Sequence, residues 1–458
     1  MHDPSSRRPW RSYKEILAHL AARVVDAQRP IRVLHALQWP ANARGDFLAA
    51  GGRELPRVDL DHYASTDLAF EPRDKSREFL DLRREIEREL GSSDPLGNIL
   101  AQTAEEYALV AEMLAARGTA RFYELSRSLY GSPKDVVAGT DRAVRAFALE
   151  MYRLLTNLDD SVLGPLPVRN ITAEEAVSRL NTRLSEFFGD GVVRVILDDG
   201  IVADASAGSD YVKLRQGAMF SEQDILVLEV HEGWVHVATS LNGQKQPVSR
   251  WLAKGPPRTA ATQEGLAALL EVLTLNSHPN RARRLNDRVL AVDKAEDGAS
   301  FVDVFEWFRT EGYDEDTCFW NTQRIFRGGL LEGGAPFTKD IVYTRGIVEN
   351  YEFLRRAIVT GRAELARWLF VGKVHLDDVA VLAGRAHEGV VAPPRFVPHL
   401  FNDLKGLAIW LGVSTFWGRM SGPYMPSPTL DGDVGPSPTP AETPGTEKTL
   451  ERRRAPGD

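Results

Sequence analysis

Residues 228–239 read LEVHEGWVHVAT, and the fold and chemistry of the chain turn on this stretch. His231, Glu232 and His236 nearly spell H-E-x-x-H, in which two histidines share a metal ion and the glutamate serves as base. Four residues leave about 40° between side chains on an α-helix, so both imidazoles reach one ion. Here the second histidine comes one residue later, and five residues leave about 140°, too far for shared ligation on an ideal helix. A single π-type turn closes i to i+5 and would bring the rings together; such turns occur mostly at functional sites. Gly233, between the histidines, tolerates such a departure. Without the distortion, His231 reads as a core histidine and His236 as a solvent-facing one.

Working outward, Ser221 with Asp224 three residues later starts the helix that carries His231. Before it, VVRVILDDGIVADASAGSDYVKLRQG (192–217) has short β-branched runs broken by Asp-Asp-Gly and Gly-Ser-Asp, which predicts two or three antiparallel strands. Thr172-Ala-Glu-Glu175 is a capping box opening a helix that ends near Gly189. Further back, Ile16, Leu17, Leu20, Val24 and Val25 recur at helical spacing up to Pro30, and a longer helix is expected from Leu96 to Arg117. After the histidines, Asn242-Gly243 reads as a turn and Gly255-Pro256-Pro257 as a loop. RTAATQEGLAALLEVL (258–273) is then a helix with Leu266, Leu269, Leu270 and Leu273 on its apolar side. It offers Glu264 near its start, and two His ligands plus one Glu from a second helix is the layout of zinc hydrolases that keep one position open. Gly265, Ala267 and Ala268 are small enough to let this helix approach the histidine helix closely. Glu271, two turns on along the same face, is an alternative ligand.

Composition bounds the rest. A chain of 458 residues with 43% hydrophobic and 26% charged residues can bury a large core. A net charge of −8 argues against a nucleic-acid partner. Cys318 is the lone cysteine, which rules out an internal disulfide and any multi-cysteine zinc site. The first 20 residues lack the apolar run of a signal peptide, and no stretch has the length of a membrane span, so a cytosolic protein without a membrane partner is expected. From Gly422 the chain holds eight of its 26 prolines, a composition that favours disorder. The expected organisation is an N-terminal helical region (1–160) packed on a catalytic core (161–421), followed by that Pro-rich tail (422–458). The expected class is α+β: mostly helical and zincin-like, with a small antiparallel sheet before the histidine helix.

HEGWVH followed by TQEGLA (262–267) resembles the flavohemoglobin expression-modulating QEGLA-motif family and the related microtubule-associated tyrosine carboxypeptidases. The resemblance runs from IRVLHALQWP (31–40) through LYGSP (129–133), RIFRGG (324–329) and FTKDIVYTRG (337–346) to about Pro398. It implies a zinc metallopeptidase with His231, His236 and Glu264 as ligands, Glu232 as catalytic base and a peptide or protein C-terminus as substrate. Tyr343, in FTKDIVY, is the leading candidate to donate to the scissile carbonyl oxygen, the alternative being an ordinary core tyrosine. A carboxypeptidase also needs a cation for the terminal carboxylate. Arg324, Arg327 and Lys339 in the downstream motifs, and Lys213 and Arg215 alternating on the strand before the histidine helix, are the candidates. A regulatory or binding protein that keeps the metal site without turnover is the other class open to this sequence.

Overall fold

The computed structural model describes residues 10–158, 167–201 and 203–420. The expected Pro-rich tail lies outside the described residues, and the boundary anticipated near residue 160 falls on 159–166, also outside them.

The apolar spacing near the N-terminus produces the helix Trp10–Gln28, which buries Leu17, Leu20, Ala21 and Val24 along one stripe. The next long helix, Pro72–Leu90, buries only Ser76, Phe79, Leu82 and Ile86, spaced three or four apart as a surface helix requires. Pro95–Ala115 begins where the Asp94 side chain accepts a hydrogen bond from the Gly97 amide, and it is buried on nearly every face. A helix apolar all round belongs inside, and this one is the centre of the N-terminal layer. Leu100, Ala104 and Met113 share one continuous core with Val230 and Val235 of the histidine segment and with Leu266 and Leu270 of the Glu264 helix. Contacts group the chain up to Gly412 as one unit, and the described residues after it complete the helix Leu404–Met420.

The protein is mostly helical, with five short strands among the described residues: β1 (Ile171–Thr172), β2 (Arg194–Asp198), β3 (Ala205–Ala207), β4 (Tyr211–Arg215) and β5 (Met219–Phe220). β1 and β5 pair antiparallel; the other three form a sheet in the order β2-β4-β3. That sheet is mixed rather than antiparallel, because β2 runs parallel to β4 while β3 is antiparallel to it. The reason lies in the connection. A parallel pair needs a crossover of about a dozen residues, and between β2 and β4 the chain also contributes β3, which pairs on the far side of β4. The turn residues Asp198 to Gly200 therefore do not close a hairpin between neighbours. Asp198 instead folds back to accept from the Gly200 amide.

Ser221 and Asp224 start the helix Glu222–Leu228 as expected, and they do so as a capping box. The chain continues without a break through Glu229–Val237 and into Ala238–Gln244. The turn expected at Asn242-Gly243 is the end of that last helix, and tertiary contacts override the local signal. The buried Asn242 amide donates to the carbonyls of Phe370 and Phe396, and its oxygen accepts from the Arg395 and Phe396 amides. A Cβ on Gly243 would lie 2.4 Å from the backbone of Leu252 and Ala253, so glycine serves close packing there.

Candidate metal centre

The segment Glu229–Val237 is a π-helix. With i to i+5 bonding, residue 236 sits over residue 231 instead of being swung away from it. The two imidazole rings accordingly lie with centroids 4.9 Å apart and nearly perpendicular. Gly233 lies inside this π-helix with an ordinary negative φ. A Cβ there would meet Leu184 at 2.4 Å, which means that Gly233 lets the helix Ala173–Phe188 pack directly on the histidine segment.

The Glu264 helix, Ala260–Leu273, starts just after Pro257 and carries the carboxylate to the histidines. Glu264 Oε2 lies 3.6 Å from His231 Nε2 and 3.6 Å from His236 Nε2. The three donor atoms fall within 4.8 Å of one another, the one grouping of this kind found among the described residues. A tetrahedral zinc with bonds near 2.0–2.1 Å needs its donors roughly 3.3 Å apart, so the observed spacing and the His2Glu donor set fit a zinc ion. Electrostatics agree. Burial works against charge on both partners, yet Lys339 and the histidines hold the Glu264 carboxyl well below its usual range, and Glu264 and Glu271 raise His231. Two neighbouring carboxylates thus hold a proton on His231 that a bound cation would displace.

Gly265 answers to a different neighbour from the one anticipated. Its missing Cβ would lie 2.0 Å from the carbonyl carbon of Gly346, so the close approach is to the helix Val342–Val359. That glycine-to-glycine crossing brings Tyr343, at the start of the same helix, to the site. Tyr343 is buried, and its phenol is raised first by burial and then by the Glu264 carboxylate. A phenol so raised keeps its proton at neutral pH and can only donate or accept as a neutral group. Glu232 points to the sheet: its Oε2 accepts from the Ala207 amide at 2.8 Å. Ala207 lies on β3, the strand at the sheet edge, and its amide faces away from β4.

The candidate cations separate clearly. Lys213 pairs with Asp198, and Arg215 with Asp204 at 2.7 Å; both sit on β4, the central strand, whose edges are covered on each side. Arg324 is held bidentately by the buried Asp340 at 2.7 and 2.9 Å. Lys339 is 3.6 Å from Glu264 Oε1 and so belongs to the cluster itself. Arg327 stacks over Phe337 at 5.7 Å, has no ion-pair partner among the described residues, and leaves Nε buried without a hydrogen bond. Burial, then repulsion from Arg324, pushes its guanidinium down to about 10, still charged at neutral pH.

Sequence reasoning overlooked one pair. Glu271, fully buried, lies on the other side of His231, 2.6 Å from Nδ1, and Arg281 grips it with two bonds of 2.8 and 2.9 Å. The structure therefore brings Glu264, and not Glu271, to the Nε2 atoms. The signal available was the spacing of Arg281, Arg284 and Arg288, three and four apart on one face of Pro279–Glu296.

The fold and site together define a helical α+β protein with a His-His-Glu cluster beside a glutamate, Glu232, that is anchored to the sheet. A family model described as microtubule-associated tyrosine carboxypeptidase matches residues 45–419, and the chain belongs to that family. Comparison with curated proteins gives no match.

Proposed function

We propose that the protein is a zinc-dependent peptidase that removes residues from the C-terminus of a peptide or protein. The observation that carries this reading is the placement of His231, His236 and Glu264 at zinc-ligand spacing with Glu232 adjacent. Membership of a family described as a carboxypeptidase supports the reaction class, and the small sheet beside the histidine helix supports the zincin-like comparison. Zinc held by two neutral histidines and one carboxylate would supply a Lewis acid of net positive charge that acidifies water and polarises a carbonyl.

The chain's own residues do the rest. Glu232 is oriented through Oε2 by the Ala207 amide, and its other oxygen has no partner among the described residues. That oxygen takes the proton of the attacking water as the new C–O bond forms, and delivers it to the amine as the C–N bond breaks. The neutral Tyr343 hydroxyl is suited to donate to the carbonyl oxygen as negative charge develops there. Arg327 is the cation best suited to a terminal carboxylate. Leaving a buried guanidinium unpaired is costly, and an incoming carboxylate would offset that cost with a charge-assisted pair.

The test is a peptide library with free or amidated C-termini, incubated with zinc-loaded protein and read by mass. Loss of C-terminal residues from the free peptides only is expected. Glu232→Gln should retain zinc while the rate drops by about 10²–10⁴-fold. Equal cleavage of both peptide classes at internal bonds would make it an endopeptidase. No cleavage by fully loaded wild-type protein would leave a binding role.

A further inference from the structure

Glu271 is a carboxylate with no solvent contact, seven residues beyond Glu264 on the same helix. It sits on the side of His231 opposite the cluster, for Nδ1 faces Glu271 at 2.6 Å while Nε2 faces Glu264 at 3.6 Å. The two ring nitrogens point apart, so a cation on Nε2 is out of Glu271's reach. Arg281 Nη2 also lies 3.4 Å from Nδ1. The far shorter contact is to a carboxylate bound by a guanidinium, which has no proton to give, so Nδ1 carries the hydrogen and donates. The backbone at this position is locked as well: the Glu271 carbonyl accepts from the Asn276 and Ser277 amides, at 2.8 and 2.9 Å. Those two bonds close the loop that leads into the Arg281 helix and return Arg281 to the carboxylate.

Charge explains why both members are needed. Two neutral histidines, Glu264 and a divalent cation carry a net charge of +1. A second unpaired carboxylate against His231 would cancel it, and Arg281 restores the balance while holding the Glu271 oxygens in place. We propose that Glu271 and Arg281 form a positioning pair, in which Arg281 clamps Glu271 and Glu271 fixes the His231 ring with Nε2 presented to the metal. This rests on the metal reading given above. Partners of this kind behind a ligating histidine are worth about 10–100-fold in metal affinity.

The experiment measures zinc affinity by chelator competition, together with the His231 Nδ1 proton in spectra of ¹⁵N-histidine-labelled full-length protein. Glu271→Gln keeps the size and loses the charge, and should weaken zinc by about 10–100-fold. It strands Arg281, so the double variant Glu271→Gln/Arg281→Met, which removes both charges, is measured beside it and should show the same loss. In metal-free wild-type protein, a downfield, slowly exchanging Nδ1 proton is expected, moving upfield and exchanging faster in Glu271→Gln. Zinc affinity within about twofold of wild type in both variants would overturn the pairing. If the wild-type protein takes up no zinc, the metal reading fails on its own; the Nδ1 proton then decides, and its absence from the wild-type spectrum would overturn the pair.

Discussion

The two sides of the site use their cations differently. On the sheet side, Lys213 and Arg215 pair with Asp198 and Asp204 in partly exposed contacts that stay local. On the helical side, Arg324 and Asp340 form a buried bidentate pair, Lys339 leans on Glu264, and Arg327 has no anion among the described residues. Exposed pairs contribute little and are easily replaced. A buried pair is a commitment, since removing one partner strands the other. An unpaired guanidinium among such pairs is where a substrate anion has most to gain.

The largest effect expected from breaking this contrast is on the buried pair. Asp340→Asn should lower stability by about 3–5 kcal/mol at neutral pH, read by denaturant unfolding, because Arg324 loses its partner. The same pair sets a pH dependence. Burial raises the Asp340 carboxyl, but Arg324, with Arg288 and Lys339 adding to it, holds the group below the usual carboxylate range. A depressed native pKa adds stability above the unfolded value near 4, and that stability is lost as pH falls below it. The wild-type and Asp340→Asn curves should thus converge in acid; a constant gap down to pH 2 would rule out the ion pair as the source.

Next comes Arg327→Ala. It should raise KM about 10- to 100-fold for peptides with a free C-terminus, in line with one charge-assisted pair, and leave the inhibition constants of amidated peptides, read in competition with a free peptide, unaffected. Equal effects on both would show that Arg327 supports the fold and not the carboxylate. The smallest change is expected on the sheet side, where Lys213→Ala and Arg215→Ala should leave KM unaltered. A clear rise in KM for either would move the substrate's anchor onto β4 and reverse the comparison.

Which parts of this were legible in the chain follows from the range of the interactions. The histidine spacing is a local fact, and it demanded a π-turn because i to i+5 is the only helical closure that stacks residues five apart. The cap at Ser221, the stop at Gly189 and the apolar stripe of Trp10–Gln28 are also local, and each is present; of the box expected at Thr172, the bond from the Glu175 amide to the Thr172 hydroxyl forms. Glu264 stood out because it opens a helix 28 residues past the second histidine.

Only the tertiary structure decided what each glycine and each charge meets. Gly233 packs on Leu184 and Gly265 on Gly346, contacts set by elements that sequence order does not place together. Asn242-Gly243 has turn chemistry, yet four hydrogen bonds to residues over 120 positions away keep it helical. The sheet order escaped for the same reason, since a crossover containing its own strand has the sequence pattern of a meander. Glu264 and Glu271 share a helix face and a chemistry. What separates them is which nitrogen of His231 each one faces, and that depends on ring orientation and on Arg281 arriving from the next helix. Local spacing determines which groups can meet; packing at long range determines which of them do.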